Sequence, residues 1–154
     1  MAIEISFPAR PALKLEHVVI DVNGTLTDRG ELPDGMAAAI DRLRNHVEIL
    51  LVSADTFGTL GQIGSELGVE TRRVEKGEDK RRLVEQLGAE RTAVIGNGAN
   101  DALALAVAGL GLVVLGPEGT SGDALRAADV LCRSAVEAFE LLLDPTALTA
   151  TLRR

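Results

Sequence analysis

Short apolar runs that alternate with amphipathic segments of helical length constrain this chain more than any other feature. From residue 17 onward, His17–Val22, Val47–Val52, Val69–Val74, Thr92–Ile95, Leu110–Leu115 and Val130–Cys132 read as strands, most of them continuous apolar runs. Helices are expected between and after them, over residues 34–45, 58–67, 78–87, 99–108, 121–127 and 135–143, with Gly68 and Gly88 as stops and Ser121 as a cap. Continuous apolar strands separated by helices signify a parallel sheet buried on both faces. The expected class is therefore α/β, a three-layer doubly wound parallel sheet. Ile3–Phe7 alternates instead and reads as an extra, half-buried N-terminal strand ended by Pro8 and Pro11. With no internal repeat or linker, residues 1–154 are read as a single domain.

Composition removes several functions. A net charge of −7 and 2% aromatic residues leave neither a basic face nor a stacking platform for nucleic acid. The one cysteine, Cys132, excludes a disulfide framework and a cysteine-rich zinc site, and is expected to be a small buried hydrophobe. His17 and His46 fall at element ends, away from the carboxylates. The longest apolar run, Ala102–Leu115, is broken by Gly109 and Gly111 and is too short for about 30 Å of hydrocarbon. The first residues lack the apolar centre of a signal peptide. A cytoplasmic protein without nucleic-acid or membrane partners is expected.

In open α/β sheets ligands bind beyond the carboxyl ends of the strands, and four strand ends carry reactive residues. The first is Asp21-Val-Asn-Gly-Thr-Leu-Thr-Asp28. Alone it can be an Asx-turn; an EF-hand loop is ruled out because its twelfth position holds Leu32. The second, Ser53-Ala54-Asp55-Thr56, offers a hydroxyl before a helix, or an ordinary cap from Asp55 or Thr56. Lys80 lies in the first turn of its helix, where a cation opposes the dipole; with Lys76, Arg81 and Arg82 it would ordinarily be solvated. The fourth, Gly96-Asn97-Gly98-Ala99-Asn100-Asp101, is either an anion- or metal-facing loop or a glycine-rich turn capped by Asn100 or Asp101.

Taken in order, these four motifs resemble the haloacid dehalogenase-like superfamily over nearly all the chain after residue 17, and most of all the phosphorylation domain of P-type ATPases as a free form. The resemblance implies a phosphatase in which Asp21 takes the phosphoryl group. It implies Mg2+ on the Asp21 carboxylate, the Asn23 carbonyl and the Asn97 side chain, with Asp101 nearby. Asn23, Gly24, Ser53, Ala54 and Lys80 would surround the small phosphorylated substrate, so that Asp21, Asn23, Ser53, Lys80 and Asp101 form the catalytic set. Two positions depart from the pattern. Asn23 stands where phosphatases of the family carry a general acid, and Asn97 where they carry an acidic metal ligand. Slow phosphomonoester hydrolysis is therefore expected, the alternative being a phosphate- or nucleotide-binding protein of the same shape. The intervals Asp21–Val52 and Ser53–Lys80 are filled by assigned elements, so no cap domain is expected and only Leu26–Leu32 would shield the site. That open site and the unpaired Ile3–Phe7 strand suggest a homo-oligomer. A response-regulator receiver fits poorly, because Val74-Glu75-Lys76 follows the third core strand where its acceptor aspartate should stand.

Overall fold

The computed structural model covers residues 1–154. Its centre is a six-stranded, all-parallel sheet of β3 (His17–Asp21), β4 (Glu48–Ser53), β5 (Glu70–Arg73), β6 (Thr92–Gly96), β7 (Leu110–Val114) and β8 (Val130–Cys132), in the order β5-β4-β3-β6-β7-β8. Odd and even positions of each central strand bury into opposite faces. Val18, Ile20, Ile49, Leu51, Ile95, Leu112 and Val114 point into the larger apolar cluster. Val19, Leu50, Val52, Val94 and Val113 point into the smaller one. Helices α1 (Met36–Leu43), α2 (Leu60–Leu67), α6 (Ala135–Leu142) and α7 (Pro145–Leu152) cover the first face; α3 (Gly77–Leu87), α4 (Ala102–Val107) and α5 (Gly122–Ala127) cover the second. This is the expected doubly wound three-layer arrangement, and it explains the continuous apolar runs. The edge strand β5, Glu-Thr-Arg-Arg, is mostly exposed, and its charges blunt an otherwise open edge.

Several boundaries move. Val22 belongs to the turn after β3, and residues 99–101 form a 3-10 turn leading into α4. Two elements were not foreseen. Arg10–Leu15 is a strand, β2, which pairs antiparallel with β1 (Ile3–Phe7) to make a separate two-stranded sheet. Pro11 fits there because Arg10, Pro11 and Ala12 lie exposed along the outer strand, where no ladder hydrogen bond is required. The second is α7. Pro145 begins this helix, and the Asp144 side chain accepts the Ala147 N–H at 3.2 Å. The extra strand β1 is thus paired within the chain, and the Thr149 hydroxyl of α7 donates to the Ser6 carbonyl at 2.8 Å. The pairing requirement that suggested a homo-oligomer is met internally. No helix is long and apolar enough to cross a membrane. Cys132 is fully buried, as expected.

Candidate active site

Strand order reverses on either side of β3: β4 and β5 lie to one side, β6, β7 and β8 to the other. The crevice between the carboxyl ends of β3 and β6 is therefore the topological switch point. Asp21 ends β3 and the Gly96–Asp101 loop follows β6, so both flank it. All of Asp21, Ser53, Lys80, Asn97 and Asp101 are buried, although each is polar or charged. Burying such groups is costly unless they satisfy one another, and here they do so in large part.

Lys80 is the hub. Its ammonium donates to Asp21 Oδ1 at 2.9 Å and to Asp101 Oδ1 at 2.6 Å, with Lys80 and Asp101 each only 1% exposed. Lys80 is therefore not the solvated surface cation that its position in the first helical turn would ordinarily make it. Lys80 shares one face of α3 with buried Leu83 and Val84, and that face points inward. Burial alone would depress the lysine's proton affinity, but the two carboxylates together outweigh it and raise it. Asp21 is pushed up to about 6, first by burial and then by the Asp101 charge, with Lys80 and Thr25 opposing.

The loop after Asp21 winds around one carbonyl. Val22 O accepts the N–H groups of Thr25, Leu26 and Thr27 at 3.2, 2.9 and 3.0 Å. The Asp21 side chain makes no Asx-turn; its partners are Lys80 and the Thr25 hydroxyl, 3.1 Å from Oδ2. Asn23 Nδ2 reaches Ser53 Oγ at 3.3 Å, and Ser53 Oγ also accepts the Asp55 N–H at 2.9 Å. Asp55, at φ 59°, caps α2 from outside it by accepting the Leu60 N–H at 2.9 Å. Ser53 and Asp55 therefore fill separate roles, one at the site and one at the helix. Asp101 folds back over Gly96, where a Cβ would lie 2.5 Å from its carboxyl carbon. Its Oδ2 accepts the N–H groups of Asn97 and Gly98 at 3.1 and 3.0 Å. Gly24 is buried beside Asn97 and Ala54 is half-buried beside Ser53. Asp21, Asn23, Gly24, Ser53, Lys80, Asn97 and Asp101 thus gather around the carboxyl end of β3, with Ala54 next to Ser53 in the chain.

Thr25, read in the sequence only as part of the Asp21–Asp28 motif, and the segment Gly116–Ser121, of which only Ser121 was read, as a helix cap, both contact the candidate site residues. Thr25 Oγ1 is 2.9 Å from Asn97 Oδ1, and Asn97 Nδ2 donates to the Gly119 carbonyl at 2.9 Å. The single Thr25 proton faces two acceptors, Asp21 Oδ2 and Asn97 Oδ1, so when Asp21 is ionised one of them is left without a donor. The Asn23 carbonyl likewise accepts no hydrogen bond. No group of three or more His, Cys, Asp or Glu side chains occurs. What the crevice offers is two carboxylates, an amide oxygen and a free carbonyl. With Lys80 these sum to one negative charge, and this all-oxygen set fits a hard divalent ion such as Mg2+. A cavity of about 680 Å³ lies at the opposite ends of the strands near Arg10, Glu16, Arg91 and Asp129, and contains none of these residues. The crevice is filled by its own side chains and is defined by its chemistry, not by its volume.

A family profile for haloacid dehalogenase-like hydrolases matches residues 16–109. Over 110 residues the chain is 36% identical to a protein of Mycobacterium tuberculosis (strain ATCC 25618 / H37Rv) described as a probable cation-transporting ATPase G, covering 70% of this chain and 14% of that one. It thus spans only about a seventh of that relative. The fold superposes on the cobalt-bound deoxy-D-mannose-octulosonate 8-phosphate phosphatase of Haemophilus influenzae with a TM-score of 0.71, at 21% identity, over 88% of this chain and 91% of that one. It also superposes on a zinc-transporting PIB-type ATPase in the E2.Pi state with a TM-score of 0.65, at 28% identity, over 79% of this chain and 20% of that one. With the profile spanning more than half its length and its acidic crevice at the switch point of the sheet, the chain belongs to the haloacid dehalogenase-like hydrolases.

Proposed function

We propose that this chain hydrolyses small phosphomonoesters in the cytoplasm, with Asp21 as the nucleophile and Mg2+ as cofactor. The observation that carries this reading is the buried Asp21–Lys80–Asp101 arrangement at the switch point. In the first step an Asp21 carboxylate oxygen attacks phosphorus; the bond from phosphorus to the ester oxygen breaks, and the departing alkoxide takes a proton from water. In the second, water attacks the aspartyl-phosphate, releasing inorganic phosphate and restoring the carboxylate. Ser53 Oγ and Lys80 Nζ hold phosphoryl oxygens and offset the charge that develops on them. The carboxylates of Asp21 and Asp101, the Asn97 amide oxygen and the Asn23 carbonyl would hold the metal, which when bound supplies charge neutralisation and orientation of the phosphoryl group.

Asn23 carries no transferable proton, so the leaving group departs unassisted and turnover is slow. The same substitution supports a second reading, in which the crevice binds a phosphorylated ligand without turnover. Hydrolysis of a phosphate-ester panel with Mg2+, comparing wild type with Asp21→Asn, separates the two. Substrate-dependent phosphate release that the variant lacks, with a hydroxylamine-labile phosphoryl adduct on the wild type, is the expected result. Absence of turnover on the whole panel, or equal turnover by the variant, defeats the enzymatic reading.

A further inference from the structure

The segment between β7 and α5 touches the loop after Asp21 at two points and Asn97 at two more. Asn97 Nδ2 donates to the Gly119 carbonyl at 2.9 Å, and the Asn97 carbonyl accepts the Ser121 N–H at 2.8 Å. Gly116 packs so closely on the Gly24 carbonyl that a Cβ there would overlap it. Glu118 Oε2 receives the Arg29 N–H at 3.4 Å. The orientation of the Asn97 amide is fixed by chemistry. The Gly119 carbonyl can only accept, so the nitrogen must face it and the oxygen must face Thr25.

We infer that Asn97 is a positioning residue whose amide straps the Gly116–Ser121 segment to Thr25 and thereby to Asp21, a task an aspartate at this position cannot perform. A carboxylate at 97 would set an acceptor against the Gly119 carbonyl, losing the bond and replacing it with repulsion. Asparagine here is therefore more than a weaker metal ligand: its oxygen serves the site and its nitrogen serves the loop. The strap stands on geometry alone; its effect on turnover rests on the phosphatase reading above.

The test is site-resolved amide hydrogen exchange in metal-free buffer on wild type, Asn97→Asp, Asn97→Ala and Thr25→Val. In both Asn97 variants the Gly119 and Ser121 amides should exchange at least about tenfold faster, while Leu112 and Val113 in β7 stay unchanged. Thr25→Val, which leaves the nitrogen side intact, should not alter exchange at Gly119 and Ser121. Asn97→Ala adds no charge, so it decides the question if Asn97→Asp fails to fold. With Mg2+ and p-nitrophenyl phosphate, Asn97→Asp should lower kcat about tenfold with KM within about threefold, and its effect should not add to that of Thr25→Val. Unchanged exchange at Gly119 and Ser121 overturns the strap. Faster turnover with a lower Mg2+ requirement in Asn97→Asp overturns its link to Asp21. If wild type shows no turnover, the phosphatase reading fails while the exchange measurement still decides the strap.

Discussion

Replacing Asp21 by asparagine should make the protein more stable, because its carboxyl sits where ionisation is unfavourable. Its carboxyl is pushed from 3.8 up to about 6, mainly by burial and secondarily by Asp101. A rise of about two units corresponds to about 3 kcal/mol of differential interaction between protonated and ionised forms. The sign follows from linkage. The folded state holds this proton more tightly than the unfolded one, so the associated stability is present below about pH 4 and is lost as pH rises through about 6. Above pH 7 the ionised Asp21 costs the fold the full amount. Asparagine has nearly the shape of the protonated acid and never ionises; it leaves Lys80 with Asp101 at 2.6 Å. Imperfect hydrogen bonding by the new amide trims the gain to about 1–3 kcal/mol, and at about 2–4 °C per kcal/mol for a chain of this size the Tm at pH 7.5 should rise by about 2–12 °C. Thermal unfolding followed by circular dichroism in EDTA at pH 5, 6 and 7.5 measures it, and the gap should widen with pH. Adding Mg2+ should then stabilise wild type, by about 2.7 kcal/mol at one hundred times Kd, and the variant far less. A variant no more stable than wild type at pH 7.5, or a gap independent of pH, would refute the reasoning.

Lys80→Met removes the cation between two buried carboxylates and should cost about 3–5 kcal/mol in urea unfolding at pH 7.5. Part of that loss should return at pH 5, where the Asp21 carboxyl, already pushed up to about 6, takes up a proton. Asn23→Asp supplies an ionisable carboxyl group beside Ser53, whose hydroxyl loses the Asn23 N–H but still accepts that of Asp55 and can accept a proton from the new acid. Its turnover should rise by up to about 10²-fold on alkyl phosphates and much less on p-nitrophenyl phosphate, whose leaving group needs no protonation. The Cys132 thiol, fully buried and pushed up to about 11 by burial and Glu137, should resist iodoacetamide in the native protein at pH 8 and react once unfolded in urea.

The parallel sheet was legible because burial on both faces leaves a continuous apolar run, a pattern that survives any error of one or two residues at the ends. The two elements that escaped, β2 and α7, are both marked by proline. In β2, Pro11 sits on an outer strand that needs no donor, and in α7, Pro145 occupies a first turn whose N–H has no helical partner. Proline removes a donor, and whether that ends an element depends on whether the donor was required there. Only the pairing with Ile3–Phe7 and the cap from Asp144 settle the matter, and both are visible only in three dimensions.

The site was legible to the extent that each residue acts at its own strand end. Asp21, Ser53 and Asp101 are placed by the local sequence, and the fold only has to bring the strand ends together. Lys80 was half legible. Its neighbours Leu83 and Val84 mark the inward face of α3, and a lysine on such a face must meet a carboxylate, but which one depends on residues 59 positions earlier and 21 later. Thr25 was legible only as part of the Asp21–Asp28 motif and Ser121 only as a helix cap, and their contacts with Asn97 were not legible. Their roles exist only through Asn97, 72 positions from Thr25, and no local pattern records a hydroxyl placed between two acceptors. That placement also bears on the chemistry. A single proton shared between Asp21 and Asn97 leaves one oxygen unsatisfied whenever Asp21 is ionised, and Lys80 already binds the other Asp21 oxygen. The crevice is therefore least satisfied in the protonation state that the proposed attack on phosphorus would require, and a bound cation would relieve that deficit most directly.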